Sequence, residues 1–230
     1  MRTQLGWGIG SLILTATTAF GTMVGSVHDL SSSQGIGDNF EICVYCHTPH
    51  ASNAEFAGAP LWNKPTTNTT FTMYGATAEG VPGQTIAGTA TDATPTGSAL
   101  ACLSCHDGVS AMNSVVNAPG SGGYNASGTY IGSASNLPKS MVGDDIRAIG
   151  SGGDLTNDHP VSIPYVEGAG SLKPKDTPIT GWNNASTIND LLRDGKVQCT
   201  SCHDPHDPTY DRFLRHRNTG SELCKTCHEK

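Results

Sequence analysis

Large apolar side chains are thinly spread along this 230-residue chain, and only a few stretches place them with a readable period. Between Ser186 and Arg193, Ile188, Leu191 and Leu192 fall on one helical face. Ser186 or Thr187 stands ahead as a cap and Gly195 behind as a stop, which predicts a short helix. A second short helix is expected after Ser221, carrying residues 224–228. Strand patterning is confined to Tyr130–Ile131 and Val161–Val166. Elsewhere the chain reads as punctuation. Residues 66–98 are rich in Thr, Ala and Gly, and 119–135 are mostly Gly, Ser, Asn and Tyr, so both are expected as extended or turn-rich surface loops. The expected fold class is mostly irregular and loop-rich, with a few short helices and very little strand. The one sustained apolar stretch, Ile9 to Phe20, follows Met1 and Arg2 and is followed by small residues at Ala19 and Gly21. That is the form of a secretory signal peptide over 1–21, cleaved near 19–21, leaving 22–230 as a single domain. Gly and Thr interrupt the stretch, and it falls short of the ~20 apolar residues of a membrane span.

Composition sharpens the problem this pattern poses. Hydrophobic residues make up 36% and aromatic residues 6%, against 28 Gly and 13 Pro, too little large apolar surface for a conventional core in a chain this long. Another source of burial is required. The net charge of −7 argues against nucleic acid and makes basic or metal-cation partners the more natural ones.

The eight cysteines supply the missing element. All of them lie in C-x-x-C pairs followed at once by histidine: Cys43, Cys46 and His47; Cys102, Cys105 and His106; Cys199, Cys202 and His203; Cys224, Cys227 and His228. This spacing reads as c-type haem attachment. Two thiols three positions apart add to the two vinyl groups on one edge of a porphyrin, and the next residue becomes the proximal iron ligand. A disulfide framework gives no reason for the four histidines. A zinc site joins two such pairs, or one pair with a later histidine pair, and the spacings of 59, 97 and 25 residues between first cysteines are irregular. A thioredoxin-like dithiol needs a single pair beside a βαβ unit. Four covalent haems c would provide the apolar bulk and tie distant segments together, with the third and fourth close to each other.

Whether such haems carry electrons or act on substrate depends on their distal ligands, since an iron with two protein ligands has no open position. Five histidines lie outside the motifs: His28, His50, His159, His206 and His216. His50 and His206 each follow a proximal histidine by three residues. Three extended residues span at most ~11 Å, whereas the α-carbons of two histidines across one iron stand roughly 13 Å apart. His50 and His206 must therefore reach a haem other than the one beside them. Methionine is the competing distal ligand, but Met23, Met73, Met112 and Met141 show no shared local pattern.

The runs Gly25–Ser31, Cys46–His50, Cys105–Gly108, Asp158–Val161 and Cys202–His206, with Phe213-Leu214-Arg215 before the last motif, resemble the multihaem cytochrome c family of metal-reducing bacteria. Within it, order and length are similar to tetrahaem outer-surface members whose subunits polymerise into extracellular filaments. The resemblance implies bis-histidine ligation of all four haems, with His28, His50, His159 and His206 as distal ligands and one of them donated across a subunit boundary. His216, in a basic Arg-His-Arg stretch, is left as a solvated spare. One pairing gives His28 to the first haem, His159 to the second and His206 to the fourth, leaving His50 for the third or for a neighbouring subunit. The implied partners are further copies of the chain, outer-membrane or periplasmic redox proteins and extracellular electron acceptors. The implied location is the cell exterior, and the activity is electron transfer, not catalysis. A freely diffusing periplasmic carrier and a multihaem reductase are the alternatives.

Overall fold

The computed structural model describes residues 23–31, 41–75, 89–110, 114–117 and 148–229. The expected signal segment, the 119–135 loop, the Tyr130–Ile131 strand, Met112 and Met141 lie outside them.

Regular structure is sparse, in line with the loop-rich expectation. Among the described residues the longest element is helix α1, Ser98–His106, followed in the chain by the single turn α2, Cys199–Cys202, and by α3, Glu222–Cys227. Two-residue strands β1, Ile163–Pro164, and β2, Lys196–Val197, pair antiparallel with Ile163 opposite Val197. The segment Val161–Val166 thus yields a strand at its centre. The expected helix at 186–193 contracts to one 3₁₀ turn, Ile188–Leu191. Its cap is as read: the Asp190 carboxylate accepts from the backbone N–H of Ser186 and of Thr187, each at 2.9 Å. Ile188, Leu191 and Leu192 are all buried. The turn stops because the chain straightens at Leu192 to reach the β2 hairpin, where Arg193 and Lys196 bridge across a bend that needs positive φ at Gly195 (73°). Ser221 does precede α3, but in a left-handed conformation (φ 62°) and without a side-chain capping bond.

Among the described residues apolar packing is divided among three small clusters, and each includes a residue of a Cys-x-x-Cys unit. Tyr45, inside the first unit, packs with Leu30 and Val44. Leu103, inside the second, packs with Phe71, Met73 and Leu155. Tyr165, Ile188 and Leu192 gather Leu172, Ile179, Val197 and Cys227 of the fourth. Phe71 and Met73 correct the reading of 66–98 as surface loop: with so few large apolar residues available, isolated ones in a Thr-rich stretch are drawn inward. Gly150 lets this cluster close, since a β-carbon there would stand 2.6 Å from the Phe71 ring.

Small residues bring the motif helices together. Ser98, Ala99, Ala101 and Ser104 are buried on α1, and the Ser98 hydroxyl lies 2.8 Å from that of Thr200 within α2. Among the described residues, no helix is long and apolar enough to cross a membrane.

Candidate haem-attachment site

Each Cys-x-x-Cys-His unit is built on a tight turn that brings its two thiols to one side, and each is fixed from outside by a second segment. Cys43 and Cys46 straddle a 3₁₀ turn, Ile42–Tyr45; its carbonyls at Val44 and Cys46 are bound by Asn63, through Nδ2 at 2.7 Å and the backbone N–H at 2.8 Å. The second unit occupies the end of α1, where Ser104 accepts a hydrogen bond from the Trp62 indole at 3.2 Å. Immediately after His106, the fully buried Asp107 accepts from the backbone N–H groups of Val109 and Ser110 at 2.9 and 2.6 Å and from the hydroxyls of Ser110 and Thr69 at 2.6 and 3.2 Å. Those bonds outweigh its burial and hold its carboxyl below the usual range.

The third unit is α2, and the buried Arg215 clamps it. Its guanidinium donates to the carbonyls of Thr200 at 3.1 Å and Asn183 at 2.9 Å, while its backbone N–H donates to Cys202 at 2.8 Å. Replacing Arg215 by methionine removes both side-chain bonds and leaves two carbonyls without their donors. The expected loss is about 2–4 kcal/mol, read as a lowered thermal midpoint of the haem-loaded protein. The fourth unit, on α3, is held by Lys173 and Glu229, whose backbone N–H groups bond Cys227 at 2.9 Å and Ser171 at 2.8 Å.

All eight thiols are free of disulfides, Cys43 and Cys224 exposed and the others half-buried. Neighbouring units meet through them. Burial, with Cys105 nearby, pushes the Cys46 thiol up to about 12; burial, with Cys227 and Cys224 nearby, does the same at Cys202. Cys199 hydrogen-bonds to Cys102 and keeps its proton well above the usual thiol range. Burial also raises Cys105 and Cys227. The hydrogen bond with Cys199 lowers Cys102. The third and fourth units are close, as their spacing requires.

The histidines carry the more specific geometry. His47 places Nδ1 2.9 Å from the Pro60 carbonyl and His203 places Nδ1 2.8 Å from that of Arg212. A carbonyl only accepts, so Nδ1 is the donor in both, which leaves Nε2 as the nitrogen that would hold a metal. Two imidazoles on opposite faces of one iron, each bonded at about 2 Å, have ring centres roughly 6 Å apart. Two pairs meet that separation. His47 and His206 lie 6.0 Å apart, and His28 and His106 lie 6.2 Å apart. Their interplanar angles are 27° and 67°. His28 is stacked on Phe213 at 4.3 Å, and its Nδ1 is 3.4 Å from the Pro205 carbonyl. Burial lowers its pKa, so the ring stays neutral and able to ligate. The residues present thus fit haem c with histidine on both faces.

Residues 192–230, which contain the third and fourth units, match the family model described as a doubled CXXCH motif. The doubled motif indicates a multihaem c-type cytochrome. No curated protein matches the chain.

The His206 ring stands beside that of His47 in the first unit and the His28 ring beside that of His106 in the second, whereas the expected pairing had His206 with the fourth unit and His28 with the first. His50 and His159 are exposed; the His159 Nδ1 is 3.0 Å from the Pro160 carbonyl. Neither ring meets another among the described residues. His216 is not the solvated spare: it is half-buried and stacked on Trp182 at 5.2 Å and 20°. The partners of Arg215, Asp107 and Trp62 escape sequence reasoning because they depend on which loops meet, although Phe213 and Arg215 belong to a run whose resemblance already marked it.

Proposed function

We propose that the chain is a tetrahaem electron-transfer cytochrome, with one haem c on each Cys-x-x-Cys-His unit and histidine on both faces of every iron. His47, His106, His203 and His228 are the proximal ligands and His28, His50, His159 and His206 the distal ones. Such haems supply reversible one-electron chemistry at low potential and no open position for substrate. The observation that carries this reading is the pair of imidazole separations near 6 Å, which suits two closed coordination spheres better than two open ones. The protein's part is to orient His47 and His203 through Nδ1 and to keep His28, stacked on Phe213, neutral.

The finer reading is a subunit of an extracellular filament, exported by the N-terminal segment. It is supported by the resemblance to the tetrahaem outer-surface cytochrome OmcE and by the exposure of His50 and His159, which places candidate ligands where a neighbouring copy can use them. Extracellular acceptors and outer-membrane or periplasmic donors are its redox partners.

Haem assay of the full-length expressed protein tests the first part, with four haems per chain, low-spin spectra and no carbon monoxide binding after reduction as the expected result. Electron microscopy of material taken from the cell exterior tests the second, where a filament repeat of one subunit is expected and discrete monomers would favour the periplasmic carrier. His159→Ala is expected to open one haem to carbon monoxide. His216→Ala is expected to leave every spectrum low-spin.

A further inference from the structure

Lysine seldom leaves water, yet Lys64 is 1% exposed and is among the largest fully buried side chains of the molecule. Its segment is clamped between the first two Cys-x-x-Cys-His units. Trp62 bridges to His47 and sends its indole N–H to Ser104 at 3.2 Å. The backbone N–H of Asn63 donates to the Cys46 carbonyl at 2.8 Å, and Asn53 Nδ2 donates to the Lys64 carbonyl at 2.9 Å. The ammonium acts electrostatically on Cys46 of the first unit and on Cys105 of the second. Asp107, also fully buried, opposes it at Cys105.

We propose that Lys64 is a fixed positive charge serving the first two haem sites, where it raises the reduction potentials above those of the other two. This rests on the reading that both units carry haem. Reduction of ferric to ferrous iron adds one electron and hence one negative charge, and a cation held out of water stabilises the reduced state more than a solvated one does. Lys64 exchanges no electron. Asp107 opposes the cation at Cys105 of the second site, so the larger rise is expected at the first. The result is a potential step within the first half of the chain.

The test compares the haem-loaded, full-length protein with Lys64→Gln and Lys64→Arg. Haem content and low-spin spectra are measured first, and each iron is then followed by potentiometric titration with visible and electron paramagnetic resonance detection. The glutamine variant is expected to lower two of the four midpoint potentials, the first site most, while the arginine variant keeps them in place. Four unmoved potentials, or four falling together, would overturn the proposal. Failure of the haem reading itself is distinguishable, since it shows as fewer than four haems in the unaltered protein. If the glutamine variant does not mature, nitrogen resonance of labelled lysines in the unaltered protein decides: an ammonium at Lys64 in both redox states sustains the proposal, and a neutral amine ends it.

Discussion

Replacing His206 by alanine is expected to convert one low-spin haem into a high-spin centre that binds carbon monoxide, and that haem is the one attached through Cys43 and Cys46. His206 lies in the sequence beside the third unit, three residues after His203, yet its ring centre stands 6.0 Å from that of His47. The loop that delivers it is tightly specified. Asp204 donates its backbone N–H to Phe213 at 2.8 Å and accepts from that of His206 at 2.9 Å, and His203 and Leu214 bridge across the loop base. Arg212 and Phe213 adopt positive φ, 56° and 58°, to turn it back. The location is checked by combining His206→Ala with Cys43→Ala and Cys46→Ala. The high-spin signal present in the single variant should vanish with the first haem, whereas its persistence would assign His206 elsewhere. His28→Ala is expected to act in the same way on the second haem.

The second large effect comes from withholding haem. The apo chain is expected to lack a cooperative unfolding transition, with far-ultraviolet dichroism close to that of a coil and broad heat absorption in place of a peak. The three apolar clusters explain why. Each fully buried large side chain contributes about 1.5–3 kcal/mol, and each residue fixed in place costs about 1–2 kcal/mol. A cluster of three or four such side chains therefore holds little beyond its own neighbourhood. The hydrogen bonds of Asn63, Asp107 and Arg215 add direction but little net free energy. Each cluster reaches into a Cys-x-x-Cys unit through Tyr45, Leu103 or Cys227, so burial is expected to continue from protein onto porphyrin. A compact, cooperatively melting apo chain would contradict this account.

Much of the site was readable because attachment chemistry is local: two thiols and an imidazole within five residues leave the same mark in any fold. The scarcity of regular structure was readable too, from the spread of Gly and Pro and the absence of long periodic runs. The Ile188 turn shows where that reading stops. Its cap and buried face were visible, but its length was decided by the hairpin that follows, which pulls Leu192 into extended backbone. Distal pairing was harder still, because it depends on which loops meet in space. Geometry along the chain excluded His50 and His206 from their own haems, but nothing in the spacing said that residue 206 returns to residue 47. His216 misled for a related reason: its basic neighbours, Arg215 and Arg217, suggest solvent, whereas Trp182, thirty-four positions earlier, covers the ring.

The return of His206 to His47 bears on how the molecule is made. A polypeptide emerges from its N-terminus, so the first Cys-x-x-Cys-His unit is available early, while the residue set to complete it follows some 160 positions later. On the ligation proposed above, a chain cut anywhere before residue 206 is expected to leave the earliest site without its second histidine. The oldest part is on that ligation completed by one of the youngest, and synthesis through residue 206 becomes a condition of redox competence.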